Sequence, residues 1–336
     1  MRLLVTGGLG FIGSNFVRGY LSRHPRDEIV NLDLRTYAGN PASVAEVKSD
    51  RRYREIRGDI ADPRAVERAM RGVDAVAHFA AESHVDRSIE DSSAFLRTNV
   101  LGTRVLLEQA LRARVKRFLH VSTDEVYGSV PRGFSRETDA LEPNSPYAAS
   151  KAASDLLARA YWKTHGLPVL VTRASNNYGP FQHPEKAVPL MITNWLDGLP
   201  YPLYGDGLNV RDWLFVEDHV RALELVLRSG CPGEIYNVGG GFSATNRGLV
   251  ETVREILGVP ASLIRRVPDR KGHDRRYAVD CGKLRRLGFR HEVSFKEGLS
   301  RTVDWYRNRR DWWERVKNEP SFRRYYRRQY RNLKSA

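Results

Sequence analysis

The sequence predicts an α/β fold, a doubly wound parallel sheet with a smaller, interleaved α/β region. Three observations point there. Over the first half of the chain, short apolar runs alternate with longer stretches of period near 3.6, the pattern of strands joined by crossover helices. A glycine-rich turn, Gly7-Gly8-Leu9-Gly10-Phe11-Ile12-Gly13, separates the first apolar run from the first helix-like stretch. Runs such as Ala75-Val76-Ala77-His78-Phe79 show no polar alternation, which suits strands buried on both faces.

Taken in order, the expected strands span 3–6, 29–33, 53–59, 74–80, 118–122 and 169–173. Between them, Leu96, Val100, Thr103, Leu107 and Ala110 fall on one face of an expected helix over 96–110. Ser145 and Pro146 read as an N-cap and first helical residue, so another helix opens there. After residue 175 the alternation fails, and proline and glycine crowd 179–207, as in an irregular segment covering a ligand. The run 234–240 reads as one more strand, returning to the first sheet. The expected organisation is a dinucleotide-binding domain over 1–175, with a returning strand near 209–240. A ligand-binding region over 176–208 and 241–320 follows, then a basic aromatic tail over 321–336.

Composition excludes several classes. At 41% hydrophobic residues the chain has ample material for a core, so disorder is excluded as its main state. No run approaches the roughly 18 apolar residues of a membrane span, and mean hydropathy is −0.50. The opening MRLLVTGGLG lacks the long apolar run of a secretory signal, and two separated cysteines, Cys231 and Cys281, form no disulfide framework. The cytoplasm is therefore the expected compartment. The net charge of +15 would ordinarily suggest nucleic acid, but +8 of it lies in residues 301–336. There Phe322, Tyr325, Tyr326 and Tyr330 share one helical face with arginines between them, and docking of that face on the protein is the expectation. Nucleic acid is not the expected partner, nor is a membrane. His78, His84, His183 and His273 show no ligand spacing, so no metal is expected.

The glycines fall in a GxxGxxG spacing. Gly7 permits the tight turn, Gly10 lets backbone amides approach a pyrophosphate, and Gly13 lets the helix pack close to the sheet. Asp33, ending the second strand twenty residues after Gly13, can accept both ribose hydroxyls and would repel a 2′-phosphate, favouring NAD over NADP. Arg35 beside it pulls the other way. Asp59, in Gly58-Asp59-Ile60, is placed for the adenine edge. Tyr147 and Lys151 lie four residues apart on one helix face. An adjacent ammonium and a positive nicotinamide would favour phenolate, making Tyr147 a base towards a sugar hydroxyl. The fifth strand ends in Ser122-Thr123-Asp124-Glu125-Val126-Tyr127-Gly128, two adjacent carboxylates where ligands of open parallel sheets bind.

With these residues the chain resembles the extended short-chain dehydrogenase/reductase family, whose fold is of Rossmann type. Within it, STDEVYG, AAESHVDRSI (80–89), SNNYGP (175–180), PEK (184–186), RDWL (211–214) and DRKGHDRRY (269–277) resemble the dTDP-glucose 4,6-dehydratases, over residues 1 to about 313. The resemblance implies a redox-neutral lyase that oxidises C4 of dTDP-glucose, eliminates water across C5 and C6, and returns hydride to C6. Tyr147, Lys151 and Thr123 would act at C4, Glu125 as the C5 base and Asp124 as the acid towards the C6 hydroxyl. Two adjacent carboxylates push their proton affinities apart, so one can be acid and the other base. The implied cofactor site comprises Gly7, Gly10, Phe11, Ile12, Gly13, Asp33, Thr36, Asp59, Ile60, Ala80, Ser83, Thr98, Tyr147, Lys151 and Asn177. NAD would stay bound through the cycle.

For substrate the resemblance implies Asn176, Lys186, Arg211, Asn246 and Arg270 at the diphosphate, and Pro202 and Tyr204 at the thymine. It adds Ser83, Thr123, Glu185 and His273. A homodimer formed through the helices at 96–110 and from 147 is also implied. Ala174 stands where many relatives have Cys, and Arg35 lies in a loop usually apolar there. Three readings remain open at this point: UDP-glucose in place of dTDP-glucose, an epimerase or decarboxylase on the same scaffold, and a non-enzymatic NAD- or nucleic-acid-binding protein.

Overall fold

Every apolar run expected to be a strand forms one, with ends within two residues of the expected ones. The computed structural model describes residues 1–269 and 272–330. β1 (Arg2–Thr6), β2 (Glu28–Asp33), β3 (Tyr53–Arg57), β4 (Ala75–His78), β5 (Arg117–Thr123) and β6 (Val169–Ala174) form one sheet with the late strand Ile235–Val238. The order is Ile235–Val238, β6, β5, β4, β1, β2, β3, and every pairing is parallel. The chain runs outward from β1 to β3, then restarts at β4 on the other side of β1. The crevice at that reversal, above the carboxyl ends of β1 and β4, is where open α/β sheets bind ligands.

Both faces of the sheet are covered, which is why its strands are apolar without alternation. Leu3 and Val5 pack towards the helices Phe11–Arg23 and Val216–Ser229, with Phe16, Tyr20, Leu223 and Leu227. Leu4, one residue out of phase, packs with Val66, Leu106, Leu107 and Ala158 on the opposite side. The helix Pro146–His165 begins as expected: the Ser145 hydroxyl accepts from the Ala148 amide at 3.1 Å, and Pro146 follows it. Gly166, with φ of +68°, ends it.

The expected helix over 96–110 is not a single α-helix. Leu96–Gly102 is π-helical and α-helix begins only at Thr103. The wider turn changes which residues face the sheet. Thr103, Leu107 and Ala110 are buried as expected, but Leu96 is 53% exposed, as is its neighbour Leu101 at 52%.

A second core gathers the segments that break the early alternation. Asn176–Tyr178, Val210–Phe215 and Ser243–Thr245 form a three-stranded sheet, and Tyr201–Tyr204 pairs with Ile264–Val267. Tyr178, Met191, Tyr306 and Trp313 are buried at its centre. Of the stretch 209–240, Val210–Phe215 stays in this small sheet, whereas Ile235–Val238 pairs with Val171–Ala174 in the large one. Leu284 and Phe289, expected in the second region, pack in the main core.

The tail docks. Helix Pro320–Gln329 buries Phe322 and Tyr325, Tyr330 just beyond it is also buried, and Arg323, Arg324, Arg327 and Arg328 remain exposed. Asn194 Nδ2 donates to the Tyr326 hydroxyl at 3.0 Å, Gln329 Nε2 to the Tyr204 hydroxyl at 2.8 Å, and Arg328 pairs with Glu90. Among the described residues no helix is long and apolar enough to cross a membrane.

Candidate active site

At the end of β1 the chain turns through Gly7, whose φ is +71° and on which a Cβ would lie 2.7 Å from Ala80 Cα. A Cβ on Gly13 would lie 2.3 Å from the Gly7 carbonyl oxygen. Only glycine at both positions lets the helix approach the sheet this closely. Helix Phe11–Arg23 starts at Gly10 with no side-chain cap and no acidic residue in its first turn. Its unpaired N–H groups and positive dipole end therefore face the crevice. Beyond them, Asp33 accepts from the Leu9 amide at 2.9 Å and from the Arg35 amide at 2.7 Å, though burial still raises its carboxyl above the ordinary range. The Arg35 guanidinium is held by Glu55 at 2.8 and 2.5 Å, so its charge is compensated there rather than kept for a 2′-phosphate. Asp59 accepts from the Ala61 amide at 2.8 Å and pairs with Arg97 at 2.7 Å.

Gly7, Gly10, Phe11, Ile12, Gly13, Asp33, Thr36, Asp59, Ile60, Ala80, Ser83 and Thr98 line one cleft together with Tyr147 and Lys151. An uncapped helix end, a buried carboxylate on one side and the Tyr–Lys pair on the other fit a dinucleotide. Asn177 is the cofactor candidate that does not line the cleft. Its Nδ2 donates to the Ser175 carbonyl at 2.9 Å, and its Oδ1 lies 2.8 Å from His219 Nδ1.

Thr123 ends β5 and caps a 3₁₀ turn, Asp124–Tyr127, its hydroxyl accepting from the Glu125 amide at 3.2 Å. The turn buries Asp124, whose carboxyl is held well above the usual range by burial, then by the charges of Glu125 and Asp212. Its Oδ2 has no hydrogen-bond partner in the protein and Oδ1 accepts from Thr123 at 3.4 Å. Two carboxyl groups thus stand side by side, the environment of Asp124 favouring its protonated form. On helix Pro146–His165, Tyr147 and Lys151 are both buried, and Lys151 Nζ donates to the Val121 carbonyl at 2.8 Å. Burial pulls the Lys151 ammonium down to about 8, opposed by Asp155. Tyr147 is not lowered as expected from its neighbour. Burial raises it, Glu125 raises it further, and a hydrogen bond with Thr123 opposes both.

The substrate candidates divide. Glu185 and Lys186 line the cleft with Ser83; Glu185 accepts from Arg87 at 2.9 Å, and Lys186 Nζ donates to the Ser83 carbonyl at 2.8 Å. Arg211 is buried, donating to the carbonyls of Val210 and Asp274 at 2.8 and 2.9 Å, with Tyr277 stacked 4.4 Å away. Asn176 holds a buried Oδ1 with no partner in the protein. Pro202 and Tyr204 sit on Tyr201–Tyr204, and Asn246 opens the helix Asn246–Leu257. His273 meets Asp269 at 2.6 Å, its ring 6.4 Å from that of Tyr204. Arg270 lies outside the described residues. The sequence reading missed Tyr37, Glu82 and Gln182 on the cleft wall, and Asp212 behind Asp124. Glu82 and Asp212 stand inside motifs already singled out; Tyr37 carried no signal.

A family model described as GDP-mannose 4,6 dehydratase matches residues 4–302. A dTDP-glucose 4,6-dehydratase of Streptomyces antibioticus is 55% identical over 327 residues, 96% of this chain and 97% of that protein. The chain belongs to the dTDP-glucose 4,6-dehydratase family. A family member from Streptomyces venezuelae, solved with NAD bound, shares 58% identity with a TM-score of 0.93, covering 94% of this chain and all of that one. A UDP-glucose 4-epimerase of Thermus thermophilus, also solved with NAD, stands further off, at 37% identity and a TM-score of 0.85 over 92% of this chain. The fold is thus shared with epimerases, and what sets the dehydratase family apart must lie in individual side chains. Among the described residues no group of three or more His, Cys, Asp or Glu is placed to hold a metal ion.

Proposed function

We propose that this chain converts dTDP-glucose to dTDP-4-keto-6-deoxyglucose and water, holding NAD through the cycle. The observation that carries the reading is the placement of Asp124 and Glu125 together at the end of β5, beside Tyr147, with burial and the neighbouring carboxyl groups raising the Asp124 carboxyl well above its usual range. An epimerase needs a base at C4 but no acid for a leaving hydroxyl. NAD, when bound, takes up hydride from C4 and gives it back at C6.

Tyr147 receives the O4 proton, with the Thr123 hydroxyl holding the same oxygen. Burial keeps Tyr147 a phenol until positive charge enters the cleft, which ties its ionisation to a filled site. Once C4 is a ketone, the C5 hydrogen is acidic and Glu125 removes it. Asp124 gives a proton to the departing C6 hydroxyl, so water leaves without forming hydroxide; Glu125 then returns the C5 proton as hydride reaches C6, and the O4 proton taken by Tyr147 replaces the one Asp124 gave up. Asn176, Lys186, Arg211, Asn246 and Arg270 hold the diphosphate; Pro202 and Tyr204 take the base, while Ser83, Glu185 and His273 complete the sugar-nucleotide site.

Turnover with dTDP-glucose and UDP-glucose side by side, without added cofactor, tests the reading. A product absorbing strongly in alkali is expected from dTDP-glucose; conversion to another hexose alone would refute it. Tyr147→Phe should abolish turnover. Asp124→Asn with Glu125→Gln should leave C4 oxidation intact and stop water loss, and near-normal dehydration by that double variant would overturn the mechanism.

The reading extends to assembly and compartment. Leu96, Leu101 and Leu156 expose apolar side chains on the helical elements expected to pair in a homodimer, and light scattering at micromolar concentration should give twice the chain mass. Free cysteines, Cys281 buried and Cys231 exposed, suit a reducing cytoplasm.

A further inference from the structure

The two halves of the site stand on different elements, the Asp124–Tyr127 turn and the helix Pro146–His165, and one buried side chain touches both. Arg173 on β6 is 1% exposed. Its Nε donates to Asp155 Oδ2 at 2.9 Å, and Asp155 lies one turn beyond Lys151 on the same helix. Its Nη1 donates to the Tyr127 hydroxyl at 2.8 Å, and Tyr127 is the last residue of the turn that carries Asp124 and Glu125. The guanidinium also lies 4.8 Å from the centre of the Tyr127 ring. Tyr127 in turn donates to Asn237 Oδ1 at 2.8 Å, anchoring the turn to the strand Ile235–Val238. Behind Asp155, His120 on β5 places Nε2 3.2 Å from Oδ1.

A buried ion pair is weak support for stability, because apolar residues of similar volume commonly serve as well. What a guanidinium supplies that they do not is a rigid planar fork fixing two partners relative to each other. We propose that Arg173 is a positioning residue that holds the Asp124–Glu125 turn in register with the Tyr147–Lys151 helix, one arm of its fork on Tyr127 and the other on Asp155. The inference rests on the reading of Asp124 and Glu125 as the elimination pair. Its consequence is a division of labour between the arms. Loosening the Tyr127 arm displaces the elimination acid and base while Tyr147 and Lys151 keep their places. Misplacement of reacting groups by about 1 Å costs on the order of 100-fold in rate.

Tyr127→Phe tests this, since it keeps the ring and removes the hydroxyl. Dehydration should slow by about 10- to 100-fold, with KM for dTDP-glucose unchanged within about twofold. Oxidation at C4 should persist, so absorbance at about 340 nm, from reduced cofactor awaiting hydride return, should rise during turnover. A purely structural role would lower both steps together and leave that absorbance flat, which would overturn the proposal; so would an unchanged dehydration rate. A thermal melt records whether the variant is folded. If it is not, Arg173→Lys, which keeps the charge beside Asp155 but cannot span both arms, is read by the same criteria. Asp124→Asn with Glu125→Gln separates the two failures. If that double variant dehydrates normally, the underlying reading fails; if it is blocked while Tyr127→Phe slows both steps equally, only the role of Arg173 fails.

Discussion

Lys151 shows what the site costs the fold. Its ammonium is buried, with a pKa of about 8 in the native chain against about 10.4 when exposed. Between those values the unfolded chain holds a proton that the native chain has lost. Stability from this group therefore rises with pH across that window, and below it the buried charge is a standing penalty. Lys151→Met should raise the unfolding free energy at pH 7 by about 1–3 kcal/mol while abolishing turnover. Urea unfolding at pH 7 checks it, and a less stable variant would mean that the bond to the Val121 carbonyl outweighs the charge burial. At this scale the Tyr147–Lys151 pair was legible because helical spacing alone puts the two on one face. The raised proton affinity of Asp124 was only partly legible: Glu125 beside it is in the sequence, but burial and Asp212, far along the chain, are not. Asn177, which does not line the cleft, was ambiguous for a simpler reason. Successive residues of a strand point to opposite sides, so two neighbouring asparagines take different surroundings, and sequence does not say which surroundings each takes.

Elements repeat the lesson. The strands were legible because a strand buried on both faces needs an unbroken apolar run, and little else in a sequence looks like one. The π-helical turn at Leu96–Gly102 was invisible, because a stretch this short within a helix is too brief to set its own repeat in the sequence. It lengthens the path just where Thr98 reaches the cleft. The glycine turn is the most exacting element. Gly13→Ala would set a methyl carbon 2.3 Å from the Gly7 carbonyl, against backbone rather than a movable side chain. A loss of about 1–3 kcal/mol and purification largely free of NAD are expected, measured by thermal melting and by the cofactor released on denaturation. Wild-type cofactor content would show that the turn is not where the dinucleotide lies.

For the whole molecule, buried imidazoles are a source of acid sensitivity. Burial pulls His183 down to about 4 and His219 to about 3. Both stay neutral in the native chain at pH values where the unfolded chain takes up protons. The contribution of these two imidazoles is thus constant above about 6.5 and falls as pH drops below it, by about 1.4 kcal/mol per unit for each. Urea midpoints at pH 7 and pH 5 should differ accordingly, and His219→Asn should flatten the dependence; an unchanged slope would remove His219 from the account. Removing residues 319–336 should cost several kcal/mol, because buried Phe322, Tyr325 and Tyr330 go with them. Unchanged melting would reopen the search for an acidic partner.

That last helix also sets an order on synthesis. Strand Ile235–Val238 completes the large sheet well before the end of the chain, so the cofactor half can close while translation continues. The second core waits for Tyr330, which packs within it. Until Tyr330 is made, the nascent protein holds its large sheet beside an open apolar lobe. A late stop codon should therefore leave a product that keeps its first half folded yet aggregates through its second.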